Sequence, residues 1–476
     1  MADADNPSAE NLSGDYDLVV LGGGPGGYAA ALYGASAGLR CALVEEQRVG
    51  GTCLHRGCIP AKELLETATV VRTVRHAGEF GVGTSDPTVD LATTQVRKQK
   101  VIDQLAKGVE GLLGGRKVTV VNSRGRLAEG KDRTVICDDG TELTGRAVVL
   151  AMGSLPRALP LPGFDYDGVR VMSSDHVLNL DRIPDRVAVV GGGAIGCEFA
   201  SFLRDVGSEV TILEALPQLL NGVDQQVAQT VVRSFGKRGI KALTGVQIIA
   251  ADVTDNGVGV RYVLKDQETT LDVDVLIVSV GRRPRSEGVG LLECGVMIDE
   301  RGFVTVDERM RTSVGGVYAV GDLVNTPQLA HVAFGEAIVA VQDFLGENPL
   351  PIEYDKVPWG IYCHPEVAFC GLTEAAAKEK GYAVETSTHR FMGNGRALII
   401  GETDGLVKIV AEQGTGTILG VHLCGPWVTE LLTEGFLAVN WQATAHDLGR
   451  LIHAHPTLSE LFGESVLALT GRSLHG

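Results

Sequence analysis

Cationic excess is missing from this chain: 42 Lys+Arg stand against 59 Asp+Glu, a formal charge of −17. Nucleic acid and anionic membrane both need a positive field to draw in phosphates, so neither is expected as a partner. Long apolar runs are missing too, since stretches such as AVVLAM fall far short of the roughly 20 residues of a membrane span. The N-terminus, MADADNPSAENLSGDYD, carries acids where a secretory or transit signal would place Lys/Arg, and a cytoplasmic chain is expected. Cysteine is sparse. There are nine in 476 residues, all but Cys53 and Cys58 standing singly, which excludes a disulfide scaffold.

What is present is ordinary globular composition, 44% hydrophobic and 21% charged. At roughly 150 residues per domain the length suggests about three domains, each able to bury its own core.

One device occurs twice. DLVVLGGGPGG and RVAVVGGGAIG each read as a buried parallel strand running into a glycine turn. In the first, Gly22, Gly24 and Gly27 give GxGxxG, then a helix-compatible stretch, a strand, and Glu45 at 21 residues past Gly24. In the second, Gly191, Gly193 and Gly196 are followed in the same way by Glu214 at 21 residues past Gly193. Glycine lets backbone N–H groups approach a pyrophosphate, the helix N-terminus faces its charge, and the acid holds a ribose diol. Glu214 would repel a 2′-phosphate, so the second site reads as NAD rather than NADP. Two dinucleotides in one chain make a nicotinamide with a flavin the chemically useful pairing, although glycine spacing alone does not say which site takes the flavin. A third strand, GGVYAVGDLV, ends in Gly321 and Asp322; alone, it reads as a simple turn aspartate.

GGTCLHRGCIPAKELLE sets Cys53 and Cys58 five residues apart. On an ideal helix their Cα atoms would lie roughly 8.7 Å apart, beyond the roughly 7 Å reach of a disulfide. Any bridge must therefore sit on a distorted turn, which Gly57 and Pro60 supply, with helix running on from Ala61. Such a bridge in a reducing compartment would be redox-active rather than structural. Two free thiols, or a metal site lacking two of its ligands, are the alternatives.

These motifs, with HAHPTLSE near the C-terminus and the AMGSLP, VGRRP and VYAVGD segments, resemble the flavin-dependent pyridine nucleotide disulfide reductases over nearly the whole chain. Within that family the chain most resembles members that oxidise protein-bound dihydrolipoyl groups with NAD⁺. Members that prefer NADP would carry basic residues near Glu214, and others end in paired cysteines where this chain ends LTGRSLHG. The resemblance implies an α/β fold with two Rossmann-like dinucleotide-binding domains, for FAD and NAD, plus a C-terminal α+β dimerisation domain. The expected boundaries are 12–155 with 283–350 for FAD, 156–282 for NAD and 351–476 for the interface. Residue by residue, it makes Cys53 the interchange thiol and Cys58 the thiol that meets the flavin. Lys62 and Glu198 match an ion pair beside the flavin, Asp322 a ribityl ligand, and His455 with Glu460 a catalytic dyad. Gly22, Gly24, Gly27, Glu45, Thr52 and Gly321 complete the expected FAD set, and Gly191, Gly193, Gly196, Glu214 and Gly281 the NAD set; no metal is expected.

The family further implies a homodimer in which the histidine reaches the other subunit's cysteines, with a lipoyl domain of a 2-oxo acid dehydrogenase or glycine-cleavage complex as partner. His55 and Arg56 depart from the family's commoner residues between the cysteines, and a cation there would favour thiolate and shift the redox potential. Read from its own residues, His455 gains meaning from Glu460 five positions on, which can orient the imidazole and raise its basicity. His453 reads as structural. The rival expectations are a reductase of another low-molecular-weight disulfide, and a non-enzymatic flavin-loaded scaffold or redox sensor, which would need none of the Cys53, Cys58, His455 and Glu460 set.

Overall fold

The computed structural model describes residues 14–475, so the first two residues of the expected FAD domain, and the acidic leader before them, lie outside the described part. The chain divides into two compact units. One runs up to Glu63 and includes Gln95–Arg157 and Arg282–Tyr354; the other holds Leu64–Thr94, Ala158–Gly281 and the chain from Asp355 onward.

The first unit is built on strand β1 (Gly14–Leu21), helix α1 (Pro25–Ser36) and strand β2 (Cys41–Glu45). β1 lies between β2 and the strand Glu142–Leu150, parallel to both, with Thr119–Asn122 outside β2 and Val317–Ala319 parallel to the end of Glu142–Leu150. Their near-continuous apolar sequences fit a parallel sheet covered on both faces. Because side chains alternate along a strand, β1 divides its residues between two cores. Val19 and Leu21 join Val44, Val148 and Leu150, whereas Leu18 and Val20 join Leu43, Val149, Ala30 and Ala340. The AMGSLP and VGRRP segments meet here as well: Ser154–Pro156 and Arg282–Pro284 pair as an antiparallel ribbon.

The second unit carries the duplicate: strand β3 (Arg186–Val190), helix α2 (Ala194–Val206) and strand β4 (Glu209–Glu214). β3 lies between β4 and Val275–Val278 in an all-parallel sheet of five strands. A three-stranded antiparallel sheet spans Gln247–Val273. The remainder forms a five-stranded antiparallel sheet in the order Trp359–Ile361, Glu366–Gly371, Ile418–Gly425, Leu406–Glu412, Val384–Arg390. The helices Val428–Asn440 and Glu460–Leu469 cover it, burying Leu432, Leu461, Phe462 and Val466 against Val407, Ile409 and Val421. The first sheet continues beyond Glu142–Leu150 through Thr134–Cys137 and Gly125–Leu127, both antiparallel, so the fold is α/β, with one mixed and one all-parallel dinucleotide-type sheet followed by an α+β region. Among the described residues no helix is long and apolar enough to cross a membrane.

Candidate functional site

The two glycine turns superimpose in detail. Gly22 and Gly191 both take φ +102°, and a side chain on either would run into a backbone carbonyl, that of Ala151 at 2.4 Å or of Ser279 at 2.5 Å. The third glycine of each motif presses its helix onto the turn, since a Cβ on Gly27 would fall 1.7 Å from the Gly22 carbonyl oxygen and one on Gly196 2.0 Å from that of Gly191. The middle glycines differ in kind. Gly24 (φ −71°, ψ −173°) and Gly193 (φ −74°, ψ −173°) cap their helices in conformations open to any residue. A Cβ on Gly193 would meet nothing within 4 Å, and one on Gly24 only the Gly51 Cα at 3.8 Å. The protein's own packing does not require glycine there; a ligand approaching the helix N-terminus would. Both cradles therefore fit a dinucleotide pyrophosphate.

The paired acids repeat too. Glu45 accepts from the Gly23 N–H at 2.7 Å and from the Gln47 N–H at 2.9 Å. Glu214 accepts from the Gly192 N–H at 2.5 Å and from the Leu216 N–H at 2.7 Å. Each carboxylate is thus fixed at the end of its strand, hydrogen-bonded to the loop that it serves. Gly281, the last NAD-set residue expected, takes φ +108° with open space around it.

The cysteine segment is docked on the first cradle. The Gly50 N–H donates to the Gly23 carbonyl at 2.8 Å, and a Cβ on Gly51 would fall 2.5 Å from the Gly24 Cα. A short helix, Gly51–Arg56, carries Thr52 and Cys53. Gly57 (φ −148°, ψ −109°) breaks it, and a new helix runs Cys58–His76. The break falls where the sequence requires one, while the second helix starts at Cys58 rather than Ala61. Pro60 is tolerated because first-turn N–H groups have no intrahelical partner.

The Cys53 and Cys58 thiols are in contact. The hydrogen bond with Cys58, then burial, push the Cys53 thiol well up, while the Lys62 ammonium pulls it down. Lys62 lies one helical turn beyond Cys58. The His55 imidazole Nε2 lies 2.9 Å from the Val49 carbonyl oxygen. The Arg56 Nε is buried without a partner among the described residues. Tyr28, on α1, is a neighbour that the sequence did not single out: burial, then the charges of Cys53 and Cys58, push its hydroxyl up to about 12.

Gly321 and Asp322 form a turn after Val317–Ala319 that is held from two sides. Arg282 Nε donates to Ser154 Oγ at 2.6 Å, and Ser154 Oγ donates to Asp322 Oδ2 at 2.5 Å. On the other side the Gly321 N–H donates to Glu336 at 2.6 Å, and the Tyr354 O–H to the same carboxylate at 2.9 Å. Glu336 is fully buried, and burial pushes it up to about 6. None of Ser154, Glu336 and Tyr354 carries a local signal, because the contacts join residues far apart in sequence.

In the second unit, His455 Nδ1 and Glu460 lie 2.8 Å apart, and the Thr457 N–H holds the other carboxylate oxygen at 2.7 Å. The imidazole is 78% exposed. Glu198 is buried and accepts the Tyr362 N–H at 2.9 Å. The cysteines and Lys62 belong to the first unit, Glu198 and the histidine pair to the second.

Two dinucleotide cradles, one bearing a thiol pair, define an oxidoreductase that joins a nicotinamide to sulfur chemistry. Residues 16–337 match the pyridine nucleotide-disulphide oxidoreductases, and 357–466 match that family's dimerisation domain, which supports a homodimer. The chain belongs to this family. Its cofactors are FAD and NAD. A dihydrolipoyl dehydrogenase of Bacillus subtilis is 41% identical over 476 residues, spanning 98% of this chain and all of the relative. One of Cupriavidus necator is 39% identical over 98% of this chain and all of the relative. Among solved structures, LpdA of Mycobacterium tuberculosis aligns with TM-score 0.88 and 26% identity, covering 95% of this chain and 99% of that one. The HOCl-induced flavoprotein disulfide reductase RclA of Escherichia coli aligns with TM-score 0.84 and 26% identity over 95% and 99%.

Proposed function

We propose that this chain is a dihydrolipoyl dehydrogenase, oxidising protein-bound dihydrolipoyl groups to lipoyl and reducing NAD⁺ to NADH. The observation that carries the reading is end-to-end agreement with relatives of that name. The Cys53–Cys58 contact beside the first cradle supports it. A reductase of another small disulfide is favoured only by the likeness to RclA, at lower identity.

The reading places FAD on Gly22, Gly24, Gly27, Glu45, Thr52, Lys62, Gly321 and Asp322, within 12–155 and 283–350. It places NAD on Gly191, Gly193, Gly196, Glu198, Glu214 and Gly281, within 156–282, and gives 351–476 to the subunit interface. FAD, when bound, supplies two-electron transfer between the cysteine pair and the nicotinamide. In the dimer, His455 serves the partner subunit's cysteines. It takes the proton of a dihydrolipoyl thiol, and the thiolate attacks the Cys53 sulfur of an oxidised Cys53–Cys58 pair, breaking that bond and releasing Cys58 as thiolate. The second substrate thiol attacks the substrate sulfur bonded to Cys53, breaking that S–S bond, and its proton goes to the leaving Cys53 sulfur, which frees Cys53 as thiol and leaves the lipoyl disulfide. Lys62, one turn from Cys58, offsets the charge that the pair gains. Glu460 holds the imidazole in the tautomer with Nε2 free. A cytoplasmic 2-oxo acid dehydrogenase or glycine-cleavage complex provides the lipoyl domain.

His455→Gln tests the reading by stopped flow of both half-reactions. A free thiol, with a pKa of about 8.5, is mostly protonated at neutral pH. Reduction by dihydrolipoamide therefore falls roughly 10²- to 10⁴-fold, while NADH-driven dye reduction changes little. Equal loss in both would mean that His455 supports the fold or the dimer.

A further inference from the structure

His453 stands two residues before the catalytic histidine and is turned the other way. Its side chain is 14% exposed against 78% for His455. Its Nε2 lies 3.0 and 3.2 Å from the two carboxylate oxygens of Glu434, on the helix Val428–Asn440. The ring rests on Phe462 with centroids 6.4 Å apart. It also sits directly on Gly463, where a Cβ would come 2.6 Å from Nδ1. Gly463 lies one turn into the helix that Glu460 opens. His453 is therefore wedged between one helix, which holds its imidazole, and the helix that carries the partner of His455.

The linking segment needs such a wedge. Residues 449–459 form no helix or strand, and Leu451 and Ile452 are 55% and 98% exposed. After His455 the segment is fixed by the Thr457 N–H on Glu460 and by Asn394 Nδ2 on the Thr457 carbonyl at 3.0 Å. Before it, the Ala454 carbonyl accepts from Thr457 Oγ1 at 2.7 Å within the segment itself, and His453 ties the segment to a separate helix. A general base displaced by about 1 Å loses roughly 10²-fold in rate, and without His453 the N-terminal side of the segment would be held only to itself, with no anchor on the helix Val428–Asn440 to aim His455. We propose that His453 and Glu434 form a second imidazole–carboxylate pair, which positions His455 for the dithiol step. Neither touches substrate; both are positioning residues. The Glu460 carboxyl is held low, against burial, by the Thr457 N–H and by His455, and the charge of His453 adds to this, as its closeness to the dyad requires. The inference rests on the reading of His455 as the base.

The test uses the FAD-loaded dimer. His453→Phe keeps the ring packing and removes the tether. Reduction by dihydrolipoamide is expected to slow roughly 10- to 100-fold, with KM for the dithiol and NADH-driven dye reduction unchanged. Glu434→Ala should lose as much, Glu434→Gln, which keeps an acceptor in place, should recover most of it, and His453→Phe with Glu434→Ala should be no worse than either alone. A wild-type dithiol step in His453→Phe overturns the proposal, as does equal loss in both half-reactions. If His453→Phe does not fold, the Glu434 pair decides: equal rates for Gln and Ala overturn it. A His455→Gln enzyme with a normal dithiol step would instead overturn the function reading, and this inference with it.

Discussion

Gly193→Ala and Gly196→Ala, three residues apart in one motif, should fail in opposite ways. At Gly196 the added methyl would sit 2.0 Å from the Gly191 carbonyl oxygen and 2.8 Å from Ser279 Oγ. Backbone cannot swing aside, so helix and strand must part, and overpacking of this kind costs about 1–3 kcal/mol. At Gly193 the methyl meets nothing within 4 Å, and φ −74°, ψ −173° suits alanine. Stability there should move by no more than about 0.5 kcal/mol. The methyl instead fills the space through which a pyrophosphate reaches the helix N-terminus. Losing one hydrogen bond to a charged group, about 1.5–3 kcal/mol, weakens NADH binding roughly 10- to 100-fold at 1.4 kcal/mol per decade. Denaturant titration of the holoprotein separates the stabilities, and fluorescence titration with NADH gives the affinities. Wild-type NADH affinity in Gly193→Ala would refute the assignment of this turn as the nicotinamide dinucleotide's cradle.

Glu214→Ala should raise KM for NAD⁺, and an arginine introduced beside that position should admit NADP⁺ through charge pairing with its phosphate; a native enzyme that prefers NADP⁺ contradicts the reading of Glu214. On addition of one equivalent of dithiol the holoenzyme should develop long-wavelength absorbance from a Cys58 thiolate against oxidised flavin, and Cys58→Ser should lose the band while retaining FAD. If the band survives, the roles of the two thiols are reversed. Glu336 sits at about 6 against an ordinary 4.5, raised by burial, so its contribution to stability is fully present below pH 4.5 and lost as the pH rises through 6. The loss is about 2 kcal/mol at 1.36 kcal/mol per pH unit. Glu336→Gln, which does not ionise, should therefore gain on the native protein by about that amount between pH 4.5 and 7. Urea titrations at both pH values measure it, and a difference that does not change with pH would show that Glu336 does not titrate in this range.

The parts of the site that sequence alone determined are those whose geometry follows from local offsets. A strand, a tight turn and a helix of set rise fix where the third glycine and the acid 21 residues beyond the second must fall, and for this reason Gly22 to Glu45 and Gly191 to Glu214 were legible twice over. The five-residue spacing of Cys53 and Cys58 called for a break if the two are to bridge, and one is found at Gly57; the five-residue spacing of His455 and Glu460 allowed the contact that they make. Tertiary structure decided the rest. It set Gly50 and Gly51 against the first cradle, clamped Asp322 between Ser154 and the turn held by Glu336, put Tyr28 beside the thiols, and gave His453 a carboxylate from another helix. Serine, tyrosine and glutamate carry no spacing signal when their partners come from distant segments. Which of them meet is set by how helices pack on sheets, a property of the assembled core and of no single stretch of chain.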